Sequence, residues 1–190
     1  MGLRFRLLDF FDRQEFFFVL IPMLWLIQGW KKDMRFFYLL FLSSFVNQLL
    51  KAFFLSPRPF HLDPGLGIIQ VSGLGFPSGA AQSVMLLSGI LLIEWKNPWK
   101  WPLALFFVLS VSFSRVYLGF HFPTDILGGW LVGLTLLSLD YRLRPILEKK
   151  FQEMPPLLLL LFNQIGPIGL VIACYSTTTV SLCALVWGWG

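Results

Sequence analysis

A neutral imidazole can attack phosphorus when a carboxylate holds its second ring nitrogen, and His121 and Asp125 stand four residues apart in His-Phe-Pro-Thr-Asp, one helical turn. Pro123 suits the first turn of the helix that would set this spacing. Lys51, Arg58 and Arg115 add charge and donors that fit the non-bridging oxygens of a phosphate. Ser78 and Gly79, after Pro77, read as a helix start whose backbone N–H groups face an anion, with Gly79 permitting close approach. These are the parts of a phosphoryl-transfer site with histidine as nucleophile. Singly, each has a plain reading: snorkelling cations, a small-residue packing face with Gln82 against a neighbouring helix, a structural His–Asp contact.

The elements that must position them are membrane helices. Of 190 residues, 56% are hydrophobic and 13% charged, with 21 Phe and 8 Trp, too little polar surface for a soluble domain of this length. Apolar runs of about 20 residues, the length of a span, predict helices near 16–30, 36–55, 78–95, 101–120, 124–140 and 157–175. The expected fold is an all-α polytopic bundle of about six transmembrane helices in one domain, residues 1–190. Residues 1–15 mix Leu and Phe with Arg and Asp and read as an interfacial helix; 16–140 form the core; 141–190 hold a cytoplasmic loop and a C-terminal hydrophobic segment. Gly166-Pro167 leaves the last segment readable as one kinked span or two short ones. Cys174 and Cys183 read as core thiols rather than a disulfide or a metal site.

The net charge of +5 comes mostly from clusters between apolar runs, which argues for topology and against nucleic acid. Lys31, Lys32 and Arg35, then Lys96 and Lys100, then Arg142, Arg144, Lys149 and Lys150 make up nine of the 15 basic residues and mark cytoplasmic loops. Lys51, Arg58 and Arg115 fall at the opposite face, where such charges are disfavoured and usually functional. Span parity brings the Pro77-Ser78-Gly79 start and the His121–Asp125 turn to that face as well.

Lys51-x6-Arg58-Pro59, Pro77-Ser78-Gly79 and Ser114-Arg115-x5-His121-x3-Asp125 resemble the three-part signature of the type 2 phosphatidic acid phosphatase superfamily, K-x6-RP, PSGH and SR-x5-H-x3-D. The resemblance covers roughly residues 16–140. It implies a compact helical bundle in a bacterial-type inner membrane, with its site open to the periplasm or exterior. It further implies a phosphohistidine mechanism on lipid phosphates or diphosphates with no metal or cofactor. By it His121 and Asp125 are catalytic, and Lys51, Arg58, Ser78, Gly79 and Arg115 bind the phosphate.

Ala80 departs from the pattern, because the family places there the histidine that acts as general acid. The alanine reads as an inactivating substitution, as the mark of a silent lipid-phosphate binder, or as matched to the leaving group. A monoester expels an alkoxide whose conjugate acid has a pKa near that of water, roughly 15.7. A lipid diphosphate such as polyprenyl diphosphate expels a phosphate monoester with a second pKa of about 6, which departs without a proton, and such a site also suits a phosphotransferase that passes the phosphoryl group to another lipid. His61, the only other histidine, is a candidate stand-in acid, with a loop turn around His61, Asp63 and Pro64 as its plain reading.

Overall fold

The computed structural model describes residues 30–63, 65, 73–155 and 158. They form four long helices and one short one: α1 (Trp30–Phe54), α2 (Pro59–Leu62), α3 (Gly79–Glu94), α4 (Lys100–Tyr117) and α5 (Pro123–Glu153). Among the described residues there is no strand. The amino-terminal arm, all of span 16–30 but Trp30, all of span 157–175 but Leu158, and both cysteines lie outside them, so the described residues hold four of the six expected spans.

Each expected span within the described residues is a helix, and the starts of α3, α4 and α5 fall within a residue of expectation. Two helices outrun their apolar stretches. α1 begins six residues early through Trp-Lys-Lys-Asp-Met-Arg, and α5 continues to Glu153 past the expected end at 140. Apolar length measures a membrane's thickness, whereas helix length follows propensity, and Lys, Arg, Met, Leu and Glu extend a helix readily. Arg144 Nε donates to Glu148 Oε1 at 3.0 Å one turn on, which supports that extension across Pro145. The stretch Pro123–Lys150 is the one described helix long and apolar enough to cross a membrane by itself; at 1.5 Å per residue it reaches about 42 Å.

α3 packs mainly on α5 and then on α4, while α1 leans on α5 and α3. Glycines make the central contact close. A Cβ at Gly129 would come within 2.5 Å of the Ser78 carbonyl oxygen, and one at Gly133 within 2.8 Å of the Gln82 carbonyl oxygen. Glycines four apart on α5 thus form a seam on which the α3 backbone rests, the small-xxx-small device of membrane helices. Leu39, Leu40, Leu86 and Leu136 complete an apolar cluster beside it.

Polarity is arranged with the polar groups inside. Ser43, Asn47, Gln82, Ser112, Arg115 and Asp125 are buried, while Phe53, Trp101, Phe106, Phe113, Leu127 and Leu131 face outward. A bundle surrounded by hydrocarbon has this sense, because its outer face needs no polar groups and its interior polar groups find one another.

Candidate active site

His121 and Asp125 meet at the start of α5. Asp125 is the third residue of that helix, and its Oδ2 accepts the Phe122 N–H at 2.9 Å, capping the helix start. The same Oδ2 lies 3.4 Å from His121 Nδ1, with the two side chains 3% and 2% exposed. The carboxylate thus faces the Nδ1 edge of the ring.

The turn that delivers His121 is built at the end of α4. Phe120 N–H donates to the Arg115 carbonyl and Gly119 N–H to the Val116 carbonyl, both at 3.0 Å, while Gly119 adopts φ +73°. This paired closure with a left-handed residue is a Schellman cap, which favours glycine because a Cβ there clashes. Phe120, the residue after it, packs with Phe60 and Leu118. Arg115 is fully buried, its guanidinium carbon 5.7 Å from the Phe120 ring centroid.

Arg58 approaches from the other side. It is buried, with Nε donating to the Gly73 carbonyl at 2.9 Å and Nη1 to the Phe120 carbonyl at 3.4 Å, next to His121. Two donors thus fix the plane of the guanidinium. Gly75 N–H donates to the Ser56 carbonyl at 2.8 Å, and a Cβ on Gly75 would stand 2.8 Å from the Pro57 carbonyl and 3.2 Å from Asp125 Oδ2. Only glycine fits between those acceptors.

The α3 start joins the same cluster by its backbone. Ser78 N–H donates to the Asp125 carbonyl at 3.0 Å, and Ser78 Oγ accepts the Ala81 N–H at 3.4 Å. The expectation that Ser78 offers its N–H to an anion is therefore corrected: that donor holds α3 to α5. Gly79 and Ala80 carry the N–H groups of the first turn that have no acceptor within the helix. Ala80 is buried, 4% exposed. Lys51 lies half-buried in the last turn of α1. His61 is exposed, its Nδ1 accepting the Arg58 N–H at 3.2 Å, and Asp63 Oδ1 accepts the Gly65 N–H at 2.9 Å. Both residues thus build the turn around α2.

The geometry brings Arg58, Ser78, Arg115, His121 and Asp125 into one hydrogen-bonded and packed group, with Lys51 on the adjoining end of α1. An open cleft of about 440 Å³ reaches Asp125 between Phe54, Leu55, Pro57, Phe76 and Phe122. Among the described residues no group of His, Cys, Asp and Glu has the makings of a metal site. Asn47, Gly75 and Gly119 were not singled out from the sequence. Each had a signal: Asn47 is polar within an apolar run and four residues before Lys51, Gly75 stands two residues before Pro77, and Gly119 lies within the x5 stretch before His121.

Residues 33–148 match the family model described as the PAP2 superfamily. The chain belongs to the PAP2 superfamily. Within it, the chain is 31% identical over 116 residues to an undecaprenyl-diphosphatase of Sulfolobus acidocaldarius, covering 59% of this chain and 52% of that protein. It is 29% identical over 104 residues to the undecaprenyl-diphosphatase BcrC of Bacillus subtilis, covering 54% and 53%. The chain spans about half the length of these PAP2 relatives. Its fold is that of a solved transmembrane PAP2-type phosphatidylglycerolphosphate phosphatase from Bacillus subtilis, with TM-score 0.64 at 22% identity over 76% of this chain and 78% of that one.

Proposed function

We propose that the chain is an integral membrane phosphohydrolase that cleaves lipid diphosphates, polyprenyl diphosphate foremost, through a phosphohistidine on His121. The observation that carries the reading is the buried His121–Asp125 pair, whose carboxylate is fixed by a backbone N–H while Arg58, Arg115 and the α3 start converge on the same turn. A binder needs the cations. It does not need an aligned nucleophile.

In the proposed reaction the lone pair of His121 Nε2 forms a bond to the terminal phosphorus, and the bridging P–O bond breaks. Its electrons leave with the lipid monophosphate. Arg58, Arg115, Lys51 and the N–H groups of Gly79 and Ala80 bind the non-bridging oxygens, whose charge they stabilise in the transition state. Water then attacks the phosphoryl group, the N–P bond breaks, and inorganic phosphate leaves with His121 restored. The first step needs no general acid at position 80, because its leaving group is already a stable anion, and in the second the proton of the attacking water passes to the departing inorganic phosphate. The names of the relatives described above agree with a diphosphate substrate, and the aromatic walls of the cleft suit a hydrocarbon chain.

The site is read as open to the outer face of a bacterial-type inner membrane, since Lys31, Lys96, Lys100, Arg142 and Lys150 lie on the opposite side of the helix order. Ala80 favours the competing reading of a silent lipid-phosphate binder. Phosphate release from matched mono- and diphosphate lipids by the purified chain and its Ala80→His variant separates the two. The enzyme reading expects diphosphate turnover by the chain as it stands, with Ala80→His raising monoester hydrolysis by about 10²–10⁴. No phosphate released by either form, with head-group binding retained, overturns it.

A further inference from the structure

One buried polar cluster takes no part in that reaction. Gln82 Nε2 donates to both the carbonyl and the hydroxyl of Ser43, each at 2.7 Å, and Gln82 Oε1 accepts from Asn47 Nδ2 at 2.9 Å. Asn47 Nδ2 also donates to the Pro77 carbonyl at 3.3 Å. All three side chains are buried, Gln82 to 1% exposure. The cluster joins α1 to the first turn of α3 at the residue before the N-cap Ser78.

Three features make this more than adhesion between helices. The Pro77 carbonyl opens the segment whose next N–H groups are those of Ser78, Gly79 and Ala80, so Asn47 grips the cradle at its entrance. A Cβ on Gly79 would stand 3.3 Å from Asn47 Oδ1, so the asparagine also fills the space behind that glycine. Ser43, Asn47 and Lys51 recur every four residues on one face of α1, so Lys51 sits one turn beyond the asparagine that is bonded to the α3 start. A helix that slides or rotates at Asn47 carries Lys51 away from the cradle.

We propose that Asn47 and Gln82 are positioning residues: their amide pair sets the register of α1 against α3 and so places the Lys51 ammonium at the phosphate cradle, without either amide touching the phosphate. This rests on the reading of the site given under Proposed function. The planar amide suits the task, because Gln82 donates to one helix and accepts from the same helix a turn later. Replacing either residue by an apolar one strands a buried partner, so the register is strongly specified.

The test is a double-mutant cycle read by inorganic phosphate binding to the full-length chain in detergent, with helical content and thermal midpoint measured on every variant. Asn47→Ala and Gln82→Met, the second of nearly unchanged volume, are each expected to weaken phosphate binding about tenfold. In a Lys51→Ala background the same substitutions should cost less than about twofold, because the residue they position is gone. Ser43→Ala removes one of two acceptors, leaves the backbone acceptor in place and folds most readily; it should weaken binding by about twofold. Equal losses in both backgrounds, or phosphate affinity unchanged by all three substitutions, overturn the latch and leave the site intact. A full-length chain that binds no inorganic phosphate overturns the cradle itself, and the latch with it.

Discussion

At one end of the bundle Arg115, His121 and Asp125 are 0%, 3% and 2% exposed, and backbone groups hold the site: Phe122 N–H on Asp125, the Phe120 and Gly73 carbonyls on Arg58, the Asp125 carbonyl on Ser78. At the other end Arg144 bridges Glu94 at 2.6 Å and Glu148 at 3.0 Å, with exposures of 28%, 33% and 40%. Trp95, Trp99 and Trp101 stand exposed around that turn, and Lys100 Nζ closes the α3 terminus on the Leu92 carbonyl at 2.6 Å. Charge alone does not distinguish the ends. The first holds its charges by main-chain donors and acceptors that no substitution short of proline can delete, and the second by pairs of partly exposed side chains. Backbone fixation costs little entropy on ligand binding, and it suits a site whose geometry must be kept within tenths of an ångström.

The largest expected contrast is in turnover. His121→Ala should reduce phosphate release from a lipid diphosphate by about 10³-fold or more, since no nucleophile remains, while Glu94→Gln should leave it within about twofold. Comparable losses in a phosphate-release assay would erase the distinction between the ends. Next comes the seam that carries the first end. Gly129→Val drives a side chain into the Ser78 carbonyl, and a loss of about 1–3 kcal/mol is expected from overpacking. The thermal midpoint of purified protein reads it, with phosphate affinity falling in parallel because the α3 start is displaced. A smaller effect is expected on binding alone: Arg115→Ala should weaken phosphate about tenfold or more, through a lost charge-assisted contact, against no measurable change for the exposed Arg142→Ala. Equal effects in calorimetry would remove Arg115 from the cradle. The smallest is the stability cost of Glu94→Gln, under about 1 kcal/mol and shrinking with added salt, as for other partly exposed pairs.

The same contrast explains what could be read from the chain in advance. That His121, Asp125, Arg58 and Arg115 would gather at one end of the bundle was legible because their spacings fall at successive helix ends. The helix starts at Gly79 and Pro123 were legible because Ser-Gly and Pro announce them. Main-chain relations were not. Nothing in the letters says that the Ser78 N–H turns to the Asp125 carbonyl instead of to solvent, since every residue but proline carries that donor. The glycine seam and the Gly119 cap declare that a side chain is excluded, without saying which backbone excludes it. The far reach of α5 escaped for a different reason, because past residue 140 the pattern ceases to be apolar while helix propensity persists.

Asp125 Oδ2 belongs to the helix start before it belongs to the histidine. This gives the site an order of decay under drift. On the proposed reading, a chain that loses a proton donor, or even its nucleophile, keeps the shape of the cradle, because the carboxylate, the Arg58 plane and the α3 start are pinned to main-chain carbonyls and amides. A chain that loses Asp125 or Gly129 forfeits pocket and chemistry in one step. The residues that dispense with catalysis and those that dispense with the fold are therefore different residues, and lineages on this scaffold can shed a reaction while retaining a receptor.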